Sequence, residues 1–144
     1  MTSEFLRSVH LAQVRWSDDD RMGHINHARY LSYFEDGRMV LLAGSPSGLA
    51  GEATARGYIA GRVAVDYLYP ARFRPGLALR VQTWVSRIGT TSWTLLAEMS
   101  DEDRPVARCE TVLVAYSYAD GRKRPLDDDE RTYWARYLAP TVAS

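Results

Sequence analysis

Apolar and polar residues alternate along much of the chain, and this two-residue period is typical of β-strands. The alternation runs from Val9 to Trp16 and returns from Gly57 onward. Further alternating stretches extend from Leu77 to Arg87, from Thr91 to Ser100 and from Pro105 to Tyr118. The pattern therefore predicts five strands. In the second of them one face is predicted to carry Ile59, Gly61, Val63, Val65 and Tyr67.

A helical period interrupts the strands between Ala28 and about Ala43. Apolar residues recur there at steps of three and four, which predicts an amphipathic helix, and they are Tyr30, Tyr33, Phe34, Gly37, Val40 and Leu41. Asn26 is a suitable N-cap. Gly37 disfavours a helix, so we expect another part of the chain to approach it closely.

Two smaller helical segments are also indicated. A weak helical turn is predicted between Leu49 and Arg56. A terminal helix is predicted over about residues 127–138, because its first turn is acidic and a helix dipole favours acidic residues there.

The order of elements predicts a two-layer α+β domain. The four strands after the long helix are joined by short turns, which predicts an antiparallel meander with the helix packed on its apolar face. The 144 residues suit one domain, residues 1–144, with a core over about residues 9–126.

Composition and charge exclude several classes of function. The 18 basic and 18 acidic residues balance, without the basic surplus of a nucleic-acid-binding protein. No apolar run reaches the roughly 20 residues of a membrane span, and the N-terminus lacks an apolar signal core. A cytoplasmic protein without membrane contact is expected. The single cysteine, Cys109, excludes an internal disulfide and is interpreted as a buried structural residue.

Three consecutive carboxylates precede the helix. If the chain stays extended, Asp18 and Asp20 project to one side. Asp20 lies nearest the helix start, where free N–H groups attract a developing oxyanion. A carboxylate there can act as nucleophile or as general base on water. The alternative interpretation is that the three residues are ordinary solvated turn and cap residues.

Two histidines follow the acidic residues. His24 and His27 suit substrate orientation or proton transfer, and polar capping is the alternative. No metal site is expected, because the only other histidine is His10. No phosphate loop, nucleophile elbow or dinucleotide fingerprint occurs.

The segment from Arg15 to Glu35 resembles the N-terminal signature of hotdog-fold acyl-CoA thioesterases of the 4-hydroxybenzoyl-CoA thioesterase type. It contains two aspartates one residue apart, a glycine three positions later, and an Asn/His-rich helix start with an aromatic-Glu pair. Later segments, at residues 65–72, 88–94, 109–116 and 121–126, are similar to the same family.

The resemblance implies a hotdog fold, in which an antiparallel sheet wraps around one long central helix. It also implies a homodimer or a dimer of dimers, with sheets paired edge to edge and active sites at the subunit interface. By this resemblance Asp20 corresponds to the catalytic carboxylate, Asp18 to the first and structural aspartate of the pair, and His27 to an orienting or proton-transferring residue. The turn facing the thioester carbonyl is formed by Gly23, His24 and Ile25. Predicted substrate contacts are Asp18, Asn26, Tyr30, Arg72, Arg74 and Arg87, with the arginines near the phosphates of coenzyme A.

The predicted reaction is hydrolysis of an acyl-CoA thioester to a free acid and CoA. An activated carbonyl, a carboxylate and oriented N–H donors suffice for it, without metal or cofactor beyond the CoA of the substrate. The aromatic helix face around Tyr30 is compatible with an acyl pocket and equally with plain core. Two alternatives stay open, which are a thioesterase acting on acyl carrier protein and a non-catalytic hotdog protein that binds an acyl ligand.

Overall fold

A computed structural model describes residues 5–48 and 56–140. The long helix α1 spans His27–Ala43, and the terminal helix α2 spans Asp128–Ala135, close to their predicted positions. The strands are β1 Ser8–Gln13, β2 Gly57–Tyr67, β3 Ala78–Ile88, β4 Ser92–Asp101, β5 Arg104–Ser117 and the short β6 Arg122–Lys123. Most of the helical turn predicted between Leu49 and Arg56 lies outside the described residues.

The strands form one antiparallel sheet in the order β1-β3-β4-β5-β2, with β6 paired to β5. Helix α1 packs against β1 and β3 on one face of this sheet. The predicted α+β class is therefore confirmed. Among the described residues, neither helix combines the length and apolar character needed to cross a bilayer.

The predicted meander is correct for β3, β4 and β5 but wrong for β2. Strand β2 pairs with the far side of β5 and is separated from β3 by two strands. The connection over residues 68–77 therefore crosses the end of the sheet. Leu68 N donates to Val106 O at 2.9 Å, and Ala71 O accepts from Ile25 N at 2.8 Å. The crossing brings this connection against the acidic segment before α1.

The predicted common face of β2 is also interrupted. The register between β2 and β5 shifts between Ala60 and Arg62, so Gly61 lies at an irregularity of the strand. Ile59 is opposite Val114 on one side of this shift, whereas Val63 is opposite the buried Thr111 on the other. A β-bulge adds one residue to a strand and so reverses the alternation of its side chains. Ile59 and Val63, which lie on the two sides of the bulge, therefore point to opposite faces of the sheet.

The core lies between α1 and the sheet. The buried side of α1 consists of Tyr30, Tyr33, Phe34, Gly37, Arg38, Leu41 and Leu42. The expected close approach at Gly37 is confirmed, because a Cβ added there would lie 2.8 Å from Cγ1 of Val81 in β3. Cys109 is buried as predicted, and this burial raises the pKa of its thiol.

Helix α2 is anchored by a buried ion pair. Glu130 is fully buried, and Arg124 donates to its two oxygens at 2.6 and 3.0 Å. Asp127 caps the helix by accepting from Glu130 N at 2.9 Å. Trp134 then packs against Trp93 with ring centroids 5.3 Å apart, which fixes the closing helix over the end of the sheet.

Candidate active site

The acidic segment folds into a closed turn before α1. Asp20 N donates to His24 O at 2.9 Å, and Gly23 N donates to Asp20 O at 3.1 Å. Gly23 has a φ of +77°, a left-handed conformation that costs glycine little. Ile25 is buried and pairs with Asp19 through an isolated β-bridge. This arrangement holds Asp20 beside the start of the helix.

Asp18 ties this turn to α1. Its side chain is buried, and Oδ2 accepts from Tyr33 Oη at 2.6 Å and from Arg15 N at 3.0 Å. Arg29 Nε lies 3.7 Å from Oδ1. Burial and the bond to Asp18 raise the pKa of Tyr33. Through these bonds Asp18 stabilises the packing of the turn against α1. Its predicted contact with substrate stays a prediction.

Asn26 is the N-cap of α1, as predicted. Its Oδ1 accepts from Ala28 N at 2.9 Å, and its carbonyl accepts from Arg29 N at 2.9 Å. Among the described residues, no acceptor is found for the backbone N–H groups of His24 and His27. The N–H groups of the predicted residues Gly23 and Ile25 are used within the fold, so His24 and His27 provide the free donors.

A cleft of about 360 Å³ opens beside this turn. The turn contributes Asp20, Met22, His24 and Ile25, α1 contributes His27 and Tyr30, and the connection after β2 contributes Tyr67, Leu68, Tyr69 and Pro70. Asp20 is half-buried, and its Oδ1 accepts from Met22 N at 2.8 Å. No described residue donates to Oδ2 of Asp20, which leaves that oxygen available to a ligand.

Tyrosines form one wall of the cleft. Tyr67 Oη donates to His27 O at 2.9 Å, and its ring meets the His27 imidazole edge to face with centroids 6.0 Å apart. Tyr30 lies behind Tyr67 at 5.3 Å between centroids, and its Oη accepts from Ala71 N at 3.2 Å. Burial raises the pKa of both phenols, so both stay protonated at neutral pH.

Residues 67–70 line the cleft but are not among the site residues predicted from the sequence. The only signal for them is the aromatic Tyr-Leu-Tyr run before a proline. That run gives no indication of contact with His27, since the two segments are far apart in the chain. The contact follows from the position of β2 at the edge of the sheet, beside β5, whereas the predicted meander placed β2 beside β3.

The other predicted substrate contacts lie outside this cleft. Asp18 and Asn26 line a neighbouring hollow of about 290 Å³ that also reaches Asp20. Arg74 pairs with both oxygens of Asp101 at 2.9 and 2.7 Å, and this pairing lowers the pKa of Asp101. Arg72 is exposed next to Ala71 in the connection.

Arg87 is exposed near the end of β3. The predicted contacts of the three arginines with phosphates stay predictions. Across residues 5–48 and 56–140, no group of three His, Cys, Asp or Glu side chains is arranged to hold a metal ion.

A family model and several solved structures match this chain. The sequence model of the thioesterase-like superfamily matches residues 14–133. A predicted thioesterase from Bacillus stearothermophilus is 27% identical, with a TM-score of 0.85 over 94% of this chain and 100% of that chain. A thioesterase from Thermus thermophilus, complexed with coenzyme A and Zn, is 28% identical, with a TM-score of 0.75 over 88% of this chain and 90% of that chain.

A 1,4-dihydroxy-2-naphthoyl-CoA thioesterase from Synechocystis is 18% identical, with a TM-score of 0.78 over 90% of this chain and 96% of that chain. At that identity the similarity shows the fold alone. Among curated protein sequences, none matches the chain significantly. The family match covers most of the chain and agrees with the resemblance of the acidic segment. The chain therefore belongs to the thioesterase-like superfamily, has the predicted hotdog fold and is a thioester hydrolase.

Proposed function

We propose that the protein hydrolyses an acyl-CoA to a free acid and coenzyme A, with Asp20 as nucleophile or general base. The observation that carries this proposal is the Asp20 carboxylate at the edge of the cleft, next to a helix start. One of its oxygens is held by Met22 N, which fixes the orientation of the carboxylate. The other oxygen has no donor among the described residues and is free to attack or to accept a proton from water.

The free N–H groups supply the second half of the chemistry. Attack on the thioester carbon forms a C–O bond and places negative charge on the carbonyl oxygen. The N–H groups of His24 and His27 are available to stabilise that oxyanion. Collapse of the intermediate breaks the C–S bond. If Asp20 acts as general base on water, the proton that it takes from water passes to the CoA thiolate. If Asp20 itself attacks, a water then hydrolyses the acyl-aspartyl anhydride, which releases the free acid, regenerates the carboxylate and supplies the thiol proton. We assign His27 to orienting the substrate or to this proton transfer, with Gly23 and Ile25 shaping the turn.

The proposed carrier of the acyl group is coenzyme A. The Thermus thermophilus relative is described in complex with coenzyme A. Arg72 is exposed in the connection that forms one side of the cleft, which suits a contact with the nucleotide. We propose that no metal and no cofactor beyond substrate CoA is needed, since a thioester carbonyl is already activated. Acyl carrier protein is the alternative carrier.

We further propose that two copies pair along β2. This strand is at one edge of the sheet, and it exposes the apolar side chains Ile59 and Val63. An open edge strand with apolar side chains is suited to pairing with another strand. A two-fold axis would pair β2 with itself and continue the sheet into the partner. The cleft at the end of β2 would then lie close to the subunit boundary.

The test compares acyl-CoA hydrolysis by the wild type, Asp20→Asn and Asp19→Asn. Asp20→Asn is expected to lower kcat by about 100- to 10,000-fold, the usual range for a lost acid or base. Asp19→Asn is the matched control, because Asp19 Oδ1 accepts from Phe73 N at 3.2 Å and an amide oxygen keeps that bond.

Equal rates for the wild type and Asp20→Asn would overturn the role of Asp20. The same panel presented on acyl carrier protein distinguishes the two carriers. A clear preference for the protein-linked substrate would replace coenzyme A in the proposal.

A further inference from the structure

His27 offers the cleft both a backbone N–H and an imidazole. Its N–H has no acceptor among the described residues, and its side chain lines the cleft together with Asp20. His27 is also the first residue of α1, and helix ends fray. A donor stabilises a transition state best when it is held in place before the reaction. The residues that hold His27 therefore bear on the proposed reaction.

Tyr67 holds His27 by two contacts. Its hydroxyl donates to the carbonyl of His27 at 2.9 Å, and its ring lies against the imidazole with centroids 6.0 Å apart and planes at 89°. Burial raises the pKa of the Tyr67 phenol, so the hydroxyl stays a donor at neutral pH. His24, the other histidine of the cleft, has no ring contact and no side-chain hydrogen bond among the described residues. One tyrosine thus restrains both the backbone and the side chain of His27.

Tyr67 is itself firmly placed. It is the last residue of β2, where it pairs with Ala107 of β5, and the next residue continues this pairing through the bond from Leu68 N to Val106 O. The ring of Tyr30, which is 2% exposed, packs behind it with centroids 5.3 Å apart. A side chain that is based on a strand and supported by packing positions another group more precisely than one on a loop.

We propose that Tyr67 is a positioning residue for thioester hydrolysis, which acts through His27 by holding its N–H and imidazole toward the thioester carbonyl. This inference rests on the proposed function, because it assumes that the carbonyl lies beside Asp20 and the helix start. The hydroxyl of Tyr67 restrains the first peptide of α1, and the ring restrains the imidazole. The two contacts can be separated, since Tyr67→Phe removes the hydroxyl alone and Tyr67→Leu removes the ring as well.

The kinetic test compares kcat and KM of Tyr67→Phe and Tyr67→Leu with the wild type, on an acyl-CoA that the wild type hydrolyses. Tyr67→Phe is expected to lower kcat by about two- to ten-fold, as for one lost hydrogen bond. Tyr67→Leu is expected to lower kcat by about ten- to 100-fold, because His27 then loses both restraints. KM of Tyr67→Phe is expected to stay within about two-fold of the wild type, since the hydroxyl bonds to the backbone and not to substrate.

Tyr118→Phe is the matched kinetic control. Tyr118 is 40% exposed, and its hydroxyl also donates to a backbone carbonyl, that of Tyr58, at 3.2 Å. It does not line the cleft. Both kcat and KM are therefore expected to remain at the wild-type values.

The variant His27→Gln tests whether Tyr67 acts through His27. Glutamine keeps the backbone N–H and carbonyl but removes the imidazole, so the ring of Tyr67 has nothing left to orient. In this background Tyr67→Leu should lower kcat no more than Tyr67→Phe does, whereas in the wild-type background it lowers kcat further. An equal effect of removing the ring in both backgrounds would overturn the inference.

NMR tests the restraint of His27 without turnover. Tyr67→Leu should move the imidazole resonances of His27, and Tyr67→Phe should mainly move its carbonyl carbon, which loses a hydrogen-bond donor. The chain has three histidines, so comparison with His27→Gln assigns the imidazole signals. Tyr69→Leu is the control and should leave them in place, because Tyr69 lines the same cleft but its ring contacts Arg104 at 4.7 Å.

Three further results would overturn the inference. They are a wild-type kcat in both Tyr67 variants, a rise in KM without a fall in kcat, and His27 resonances that stay unchanged in both variants. Hydrolysis of no thioester by the wild type would instead overturn the proposed function and, with it, the catalytic part of this inference. Moved His27 resonances would in that case still support the contact.

Discussion

At the scale of single residues, two aspartates two positions apart have different environments. Asp18 is 6% exposed and accepts from a phenol and a backbone N–H. Asp20 is more exposed and borders the cleft with one oxygen free of described donors. Because of their spacing, both aspartates were predicted from the sequence to be site residues. Spacing alone does not show which of the two side chains is buried. The difference arises because the hydroxyl of Tyr33 donates to Asp18, whereas among the described residues Asp20 accepts only from the backbone N–H of Met22.

Removal of the Tyr33 hydroxyl should destabilise the fold in a pH-dependent way. Tyr33→Phe is expected to lower the free energy of unfolding at pH 7 by about 1.5–3 kcal/mol, because a buried carboxylate loses a donor. Folding raises the pKa of the Tyr33 hydroxyl above its ordinary value of 10.0. Just above pH 10 the hydroxyl therefore loses its proton in the unfolded chain but keeps it in the folded protein. Wild-type stability therefore falls there by about 1.4 kcal/mol per pH unit for this residue, and Tyr33→Phe lacks that contribution.

Urea unfolding between pH 7 and 11 measures the difference between the two proteins. The difference in the free energy of unfolding between the wild type and Tyr33→Phe should stay constant below pH 10 and become smaller above pH 10. Tyr118→Phe, which removes an exposed hydroxyl, serves as the control and should follow the wild type more closely. A difference that is constant over the whole range would contradict the prediction.

At the scale of elements, the position of α1 depends on a close contact. Gly37 lies where a Cβ would be 2.8 Å from Cγ1 of Val81, a fully buried and stiff side chain. The helical pattern around Gly37 was readable from the sequence because it is local. The identity of the opposing strand was not readable, because it depends on how the sheet is ordered.

A methyl group at position 37 should therefore destabilise the protein. In an open helix Gly→Ala stabilises by about 1 kcal/mol. Here Gly37→Ala is expected to lower the free energy of unfolding by about 1–3 kcal/mol, because overpacking forces the helix and β3 apart. Chemical denaturation of Gly37→Ala, Val81→Ala and the double variant gives the coupling between the two sites.

In the Val81→Ala background the added methyl should be tolerated or stabilising, since the opposing Cγ1 is gone. A stabilising effect of Gly37→Ala in both backgrounds would show that the contact relaxes without cost.

At the scale of the whole molecule, the sheet order positions the cleft. Because β2 is outside β5, the connection over residues 68–77 must cross the end of the sheet to reach β3. It thereby brings Tyr67 to His27, forty positions apart in the chain. Among the described strands, the same order leaves one side of β2 unpaired, which is the basis of the proposed dimer.

The proposed pairing along β2 is tested by a charge on that strand. Val63 is 40% exposed, and Val63→Lys is expected to raise the dimer Kd by at least about 30-fold, because burying an unpaired ammonium costs about 2 kcal/mol or more. Sedimentation velocity over a range of concentrations measures the change. Val9→Lys is the control, because Val9 is 48% exposed on β1 at the opposite edge. Dissociation by the Val9 variant instead would move the interface to β1.

The sequence by itself determined the five longer strands, the bounds of α1 to within one residue, its Asn26 cap and the acidic turn at its start. These features depend on periodicity and on hydrogen bonds between residues close in the chain, so local residues suffice to specify them. The sequence did not predict β6, and it extended the first strand to Trp16, whereas Trp16–Asp18 form a 3-10 turn. Only the tertiary structure decided the edge position of β2, the different burial of Asp18 and Asp20, and the wall formed by Tyr67. Each of those features depends on contact between segments that are distant in the chain. Which segments come into contact is decided by the packing of the whole sheet and helix, and the local sequence does not specify it.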